Sequence, residues 1–293
     1  MSPPRERNDR SKPNAKAFDK PRGHGFSAPR DGGPGQPSPE RHGGAKPGAR
    51  RRGAEISHDW VWGWHAVRAA LANPARGGLR RLVVNGARAQ EIESEALARG
   101  IRPERVGPGD IGGMLPAGAV HQGVALLADP PEPTAVEDLI ETGSGMLVML
   151  DQVTDPQNVG AIFRSAAAFG ARGVILQDRH APTLSGALAK AAAGAVDHLP
   201  HARVVNLSRA LESLAEAGWR AVGLDGGARA NLAEVLDKRP TVLVLGSEGD
   251  GLRRLVSEHC DALARIPMPG GVESLNVSSA AAVALYAVHQ AQT

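Results

Sequence analysis

Apolar residues in the second half of the chain gather into short continuous runs at residues 147–150, 174–176, 241–245 and 264–266. Between them the spacing changes to that of amphipathic helices, near 161–169, 185–193, 207–217 and 277–291. Short apolar strands alternating with helices predict a buried, mostly parallel sheet covered on both faces, an α/β domain over residues 146–293. A smaller version of the same alternation precedes it. Trp60-Val61-Trp62-Gly63-Trp64 leads into a helical pattern through Val67, Ala70 and Leu71. Then come a strand at 81–84, a helix over 91–99, a Gly-Ile-Arg-Pro turn and a strand at 124–127, which together predict a small α/β domain over 58–128. Residues 129–145 open on Asp-Pro-Pro-Glu-Pro, and repeated proline stiffens the backbone and removes donors, as in a linker. Residues 1–57 are crowded with Pro, Gly, Arg and Lys and nearly lack large apolar groups. They are expected to be a disordered basic tail, because they cannot bury enough surface to offset the entropy of ordering.

Charge sharpens this division. The whole chain of 293 residues carries 34 Lys+Arg against 31 Asp+Glu, but residues 1–57 hold 13 and 6, a net of +7. Residues 58–128 hold 8 and 6, and residues 129–293 hold 13 and 19, a net of −6. A basic front on an acidic carboxy-terminal half points to an anionic partner held by the front. The single cysteine, Cys260, excludes an intramolecular disulfide and a cysteine-rich zinc site and fits a reducing compartment. No apolar run approaches the roughly 20 residues of a spanning helix and the first residues are not apolar, so a soluble, cytoplasmic protein without membrane association is expected. His198 and His201 are spaced for one helical face, but Pro200 lies between them and no acidic or sulfur ligand is near in sequence, so no metal site is expected.

Three glycine-punctuated blocks hold the candidate chemistry: LDQVTDPQNVGAIFRSA over 150–166, VLGSEGDGL over 244–252, and IPM at 266–268 followed by SLNVS at 274–278. No Gly-x-Gly-x-x-Gly lies between a strand and its helix and no Gly-Lys-Ser/Thr loop is present, which removes the ordinary nicotinamide and P-loop readings. Gly246, directly after an apolar run, is either a plain turn or a place where a ligand approaches the backbone. Asn158 and Arg164 span a strand-to-helix loop and the helix it feeds, whose amino terminus is a natural phosphate seat.

In this order the three blocks resemble the signature motifs of the SpoU (TrmH-type) RNA ribose 2'-O-methyltransferases. The tripeptide His121-Gln122-Gly123 resembles the close of the small, ribosomal-protein-like RNA-binding domain found in one branch of that family. The resemblance implies an S-adenosylmethionine-dependent enzyme acting on RNA as a homodimer, with a trefoil-knotted, SPOUT-type parallel-sheet catalytic domain. Nothing in the spacing shows a knot. It implies a cofactor site at Gly246, Ile266, Met268 and Leu275, and catalytic residues Asn158, Arg164, Glu248, Ser274 and Asn276. Glu248 is expected to accept a hydrogen bond or to balance Arg164, Ser274 to cap the last helix, and Asn276 to satisfy backbone groups at its start. A guanidinium does not normally lose its proton, so Arg164 is expected to orient the nucleotide and stabilise charge on the 2'-oxygen rather than act as a free base. With nine aromatic residues in 293, RNA recognition should rest on phosphate, shape and 2'-OH contacts rather than base stacking. The extra domain favours ribosomal RNA over transfer RNA, and the resemblance implies a guanosine of 23S ribosomal RNA as the target. The rival from another class is an RNA-binding ribosome-assembly factor without turnover.

Overall fold

The computed structural model describes residues 59–141, 143–271 and 274–293. The basic tail expected over 1–57 lies outside the described residues. Two sheets are present. The first is built from β1 (Trp60–Trp62), α1 (Trp64–Ala72), β2 (Arg81–Val84), α2 (Gly86–Ala98), β3 (Pro103–Arg105), α3 (Pro108–Met114) and β4 (Val124–Leu127). Its strand order is β1-β4-β2-β3, antiparallel except for the parallel pair β2 and β3. Residues alternate between its faces, as the strand period of two requires. Val61, Leu82, Val84 and Leu126 pack with α1 and α2, whereas Trp60, Trp62, Val83 and Ala125 pack with Ile111 and Leu115 around α3.

The second sheet follows. Its elements are α4 (Val136–Ile140), β5 (Met146–Leu150), α5 (Pro156–Ala168), β6 (Gly173–Gln177), α6 (Gly186–Ala192), a 3-10 turn at Ala195–Asp197, β7 (His201–Val204), α7 (Leu207–Glu216), β8 (Arg220–Leu224), β9 (Ala230–Asn231), α8 (Leu232–Val235), β10 (Thr241–Leu245), α9 (Arg254–Glu258), β11 (Ala262–Arg265) and α10 (Val277–Gln292). The seven strands run β7-β6-β5-β10-β8-β11-β9, and every pairing is parallel. Met146, Val148 and Leu150 face α5, α6 and α10, while Leu147 and Met149 face α4 and α7. The central strands β5, β6 and β10 are therefore buried on both faces, which is why these segments read as continuous apolar runs.

Three features depart from the sequence-based expectation. Residues 129–145 are more than a tether: Thr134 bridges to Ala202 at the sheet edge, and Val136 and Leu139 of α4 are buried against the sheet. Strand β8 has Gly223 in its interior, which weakens the strand pattern. A Cβ there would stand 2.7 Å from both Leu252 and Leu263, so the glycine is what lets the chain pack. Strand β7 was not foreseen either: His201, for which Pro200 had argued against a helical pairing with His198, lies in it, buried and edge-on to Phe163 with ring centroids 6.4 Å apart.

Candidate active site

Strand β10 ends at Leu245, and Gly246 opens a loop that folds back on itself. Ser247 and Gly251 exchange backbone hydrogen bonds, each 3.1 Å, with Gly249 and Gly251 at positive φ. A Cβ on Gly246 would fall 2.2 Å from the Gly251 carbonyl oxygen. The glycine is thus demanded by the loop's own backbone. The far end of the loop is fixed by Asp151, whose side chain is fully buried at the end of β5. One of its carboxylate oxygens accepts from Arg253 Nε at 2.7 Å and the other from the Arg253 amide at 2.9 Å.

This clamp presents Glu248 to two asparagines from distant parts of the chain. Glu248 Oε1 accepts from Asn158 Nδ2 at 2.9 Å, from Asn276 Nδ2 at 2.7 Å and from the Val277 amide at 3.4 Å. Asn276 Nδ2 also donates to Asn158 Oδ1 at 2.9 Å. Asn276 caps α10, its Oδ1 accepting from the Ser278 and Ser279 amides. Ser274, expected as that cap, instead lies on the wall of the neighbouring cleft.

Arg164 does not join this cluster. It lies six residues past Asn158 on α5, about 9 Å further along the axis, and its exposed side chain has no hydrogen bond or ion pair to any described residue. Of the two roles expected of Glu248, it therefore accepts hydrogen bonds, from the two asparagines, and does not pair with Arg164. The phosphate seat expected at the start of α5 is taken as well: Asp155 caps the helix, accepting from the Gln157 amide at 3.0 Å, and its negative charge meets the helix dipole there.

Beside the cluster, a cleft of about 680 Å³ opens outside the carboxyl ends of β8, β10 and β11, where ligands bind in open α/β sheets. Gly246, Ile266, Met268 and Leu275 all line it, together with Glu248, Ser274 and Asn276. Sequence reasoning missed its opposite wall, Leu224-Asp225-Gly226-Gly227. The signal for it was Asp225-Gly226-Gly227 directly after a short apolar run, hidden because β8 itself was not foreseen. Asp225 Oδ1 accepts from the Gly227 amide at 2.8 Å, while a Cβ on Gly226 would meet nothing within 4 Å. The walls combine apolar side chains with glycine backbone and a few polar groups. They suit a flat heteroaromatic ring joined to a polar, zwitterionic arm, as in S-adenosylmethionine. Nearby, burial pushes the Cys260 thiol up to about 12, so it is no nucleophile. Among the described residues no group of three or more His, Cys, Asp or Glu is placed to hold a metal.

The profile of the SpoU rRNA Methylase family matches residues 145–286, and that of the RNA 2'-O ribose methyltransferase substrate binding domain matches residues 60–134. The chain is similar to the 23S rRNA (guanosine-2'-O-)-methyltransferase RlmB of Xanthomonas campestris pv. campestris, 42% identical over 239 residues that cover 78% of this chain and 95% of the relative. Its similarity to the RlmB of Xylella fastidiosa strain 9a5c is 41% over 237 residues, with the same coverage of each chain. Among solved structures it resembles an AdoMet-bound rRNA methyltransferase from Sinorhizobium meliloti, with a TM-score of 0.68, 27% identity, and 79% of this chain and 86% of the other covered. It likewise resembles the AdoMet complex of the SpoU methyltransferase AviRb from Streptomyces viridochromogenes, with a TM-score of 0.65, 27% identity, and coverage of 79% and 89%.

Proposed function

We propose that this chain, which belongs to the SpoU rRNA Methylase family, uses S-adenosylmethionine to methylate the 2'-oxygen of a ribose in RNA, that of a guanosine in 23S ribosomal RNA. The observation that carries this reading is the meeting of Asn158, Glu248 and Asn276 at the edge of the glycine-walled cleft. S-adenosylmethionine, when bound, supplies a methyl group activated by its sulfonium. Gly246, Ile266, Met268 and Leu275, with the Asp225-Gly226-Gly227 turn, hold the cofactor in the cleft. Asn158 and Asn276, oriented by the shared Glu248 oxygen, fix its rim and the start of α10. Arg164 binds the nucleotide's phosphate and stabilises negative charge developing on the 2'-oxygen. That no carboxylate among the described residues pairs with it supports this role.

Residues 58–128 form the RNA-binding domain and residues 146–293 the catalytic domain, knotted through its carboxy-terminal segment. The chain works as a homodimer. Support for pairing comes from α10, where the large apolar side chains of Val283 and Tyr286 are 45% and 53% exposed. Among the described residues no helix is long and apolar enough to cross a membrane, and a cytoplasmic location belongs to this reading, supported by its ribosomal RNA substrate.

The test is a map of ribose methylation in RNA from cells with and without the protein. A guanosine in 23S ribosomal RNA should lose its methyl group, and wild-type protein should restore it. Gly226→Leu should not, because its side chain fills open cleft space without moving backbone. Loss confined to transfer RNA would overturn the ribosomal assignment, and an unchanged map would overturn catalysis.

A further inference from the structure

The turn His121-Gln122-Gly123 closes the small sheet, yet its central side chain points out of that sheet's core. Gln122 adopts φ 54, an uncommon conformation for a residue with a side chain. The turn is pinned locally: the Gly123 amide donates to His121 Nδ1 at 3.1 Å and its carbonyl accepts from the Asn85 amide at 2.8 Å. The bend carries Gln122 Oε1 to two donors. One is the Trp64 amide at 3.0 Å, a free donor in the first turn of α1, whose N-cap Gly63 has no side chain to satisfy it. The other is Lys190 Nζ at 2.6 Å, in the last turn of α6 on the catalytic sheet.

The same segment of the catalytic sheet is gripped at two more places. A Cβ on Gly194 would stand 2.7 Å from Ala69 Cβ of α1. In the turn after α6, Asp197 forms a 2.9 Å ion pair with Arg76, both side chains fully buried, and also accepts from Asn73 at 3.3 Å. Removing one partner of a buried pair is costly, so this contact resists separation. On its other side α6 lies against α5 with no space between: a Cβ on Gly160 would fall 2.4 Å from the Leu188 carbonyl oxygen. Helix α5 carries Asn158 and Arg164.

We propose that Gln122 and Lys190 form a latch that holds the substrate-binding domain in register with α6, and through it with α5, so that RNA gripped by the small domain meets Arg164 in a preset geometry. Both are positioning residues. The latch rests on the reading of residues 60–134 as the RNA-binding domain. Holding the two parts together before RNA arrives removes an ordering cost that binding would otherwise have to meet. Gln122 is the common acceptor, so loss of either partner opens the same contact.

The test uses the full chain and the variants Gln122→Ala, Lys190→Met, their double mutant, and Gln122→Glu, which keeps the acceptor. Each single replacement should lower kcat/KM for a 23S ribosomal RNA transcript about tenfold, the size expected for one or two lost hydrogen bonds. The double mutant should be no worse than either single one, Gln122→Glu should match the wild type, and S-adenosylmethionine affinity should be unchanged throughout. Without RNA or cofactor, the Trp64 amide should exchange hydrogen faster in Gln122→Ala and at the wild-type rate in Gln122→Glu. Wild-type turnover in both single variants, additive losses, or a parallel loss of cofactor affinity would overturn the latch. If the wild type itself methylated no ribosomal RNA, the functional reading would fail instead, and unchanged Trp64 exchange in Gln122→Ala would still overturn the Gln122–Trp64 bond that aims Gln122 at Lys190.

Discussion

One carboxylate oxygen, Glu248 Oε1, receives donors from Asn158, Asn276 and the Val277 amide. Hydrogen bonds to an ionised acceptor are the stronger kind, so this oxygen sets the positions of both asparagines. Arg164 stands apart, exposed and without a carboxylate partner among the described residues. Arg164→Lys keeps the charge and loses the planar fork. Cofactor affinity by calorimetry should stay the same, while single-turnover methyl transfer should fall on the order of 100-fold. Transfer near the wild-type rate would remove Arg164 from the chemistry. A different residue, His201, links stability to pH. Burial, aided by the nearby Arg203 charge, pushes His201 down to about 4 from 6.5. Between those values the unfolded ring takes up a proton that the folded ring refuses. Its share of stability is therefore complete above pH 6.5 and is lost as pH falls toward 4, by up to about 3 kcal/mol. The urea midpoint of wild type minus that of His201→Leu should fall over that interval as pH is lowered, and a constant difference would refute the assignment.

At the scale of elements, the decisive contact is α5 against α6. Gly160 sits where the helices are closest, with the Leu188 carbonyl oxygen and Ala191 Cβ 2.4 and 2.7 Å from an added Cβ. Alanine in a helix interior is favoured over glycine by roughly 1 kcal/mol. Here backbone must move to admit it, and overpacking costs about 1–3 kcal/mol. Gly160→Ala should therefore lower the urea midpoint and, by shifting the helix that carries Asn158 and Arg164, slow methyl transfer more than it weakens cofactor binding. A raised midpoint would mean that α5 slides freely over α6. The loop after β10 is constrained in the same manner by Gly246 against Gly251, so replacing Gly246 would disturb the loop before it touched a ligand.

For the whole molecule, charge is divided unequally: the catalytic half is net −6 and residues 1–57 are net +7. An acidic body acting on a polyanion benefits from a basic extension that recruits it. Deleting residues 1–57 should weaken RNA binding at low salt and flatten its salt dependence, each lost phosphate contact reducing the slope of log affinity by roughly 0.7–0.9. Cofactor affinity and the methylated nucleotide should not change. Superimposable RNA titrations of truncated and full-length protein from low to high salt would show the tail to be passive.

The parallel strands at β5, β6 and β10 and the long helices α5, α7 and α10 were legible because burial on both faces or on one stripe writes itself into local spacing. The cleft positions Gly246, Ile266, Met268 and Leu275 were legible for a related reason, since they follow strand ends and belong to recognisable motifs. Strand β8 and helix α4 were not: Gly223 and the prolines before Val136 obey packing needs set by distant neighbours, Leu252 and Leu263 in the first case and the sheet face in the second. The pairing of Asn158 with Glu248, 90 residues away, and with Asn276, 118 residues away, exists only because β5 lies beside β10 and α10 returns across them. Local periodicity determines where a backbone turns regular. Which side chains then meet, including the separation of Arg164 from Glu248, is decided by strand order and helix packing, and these belong to the whole chain.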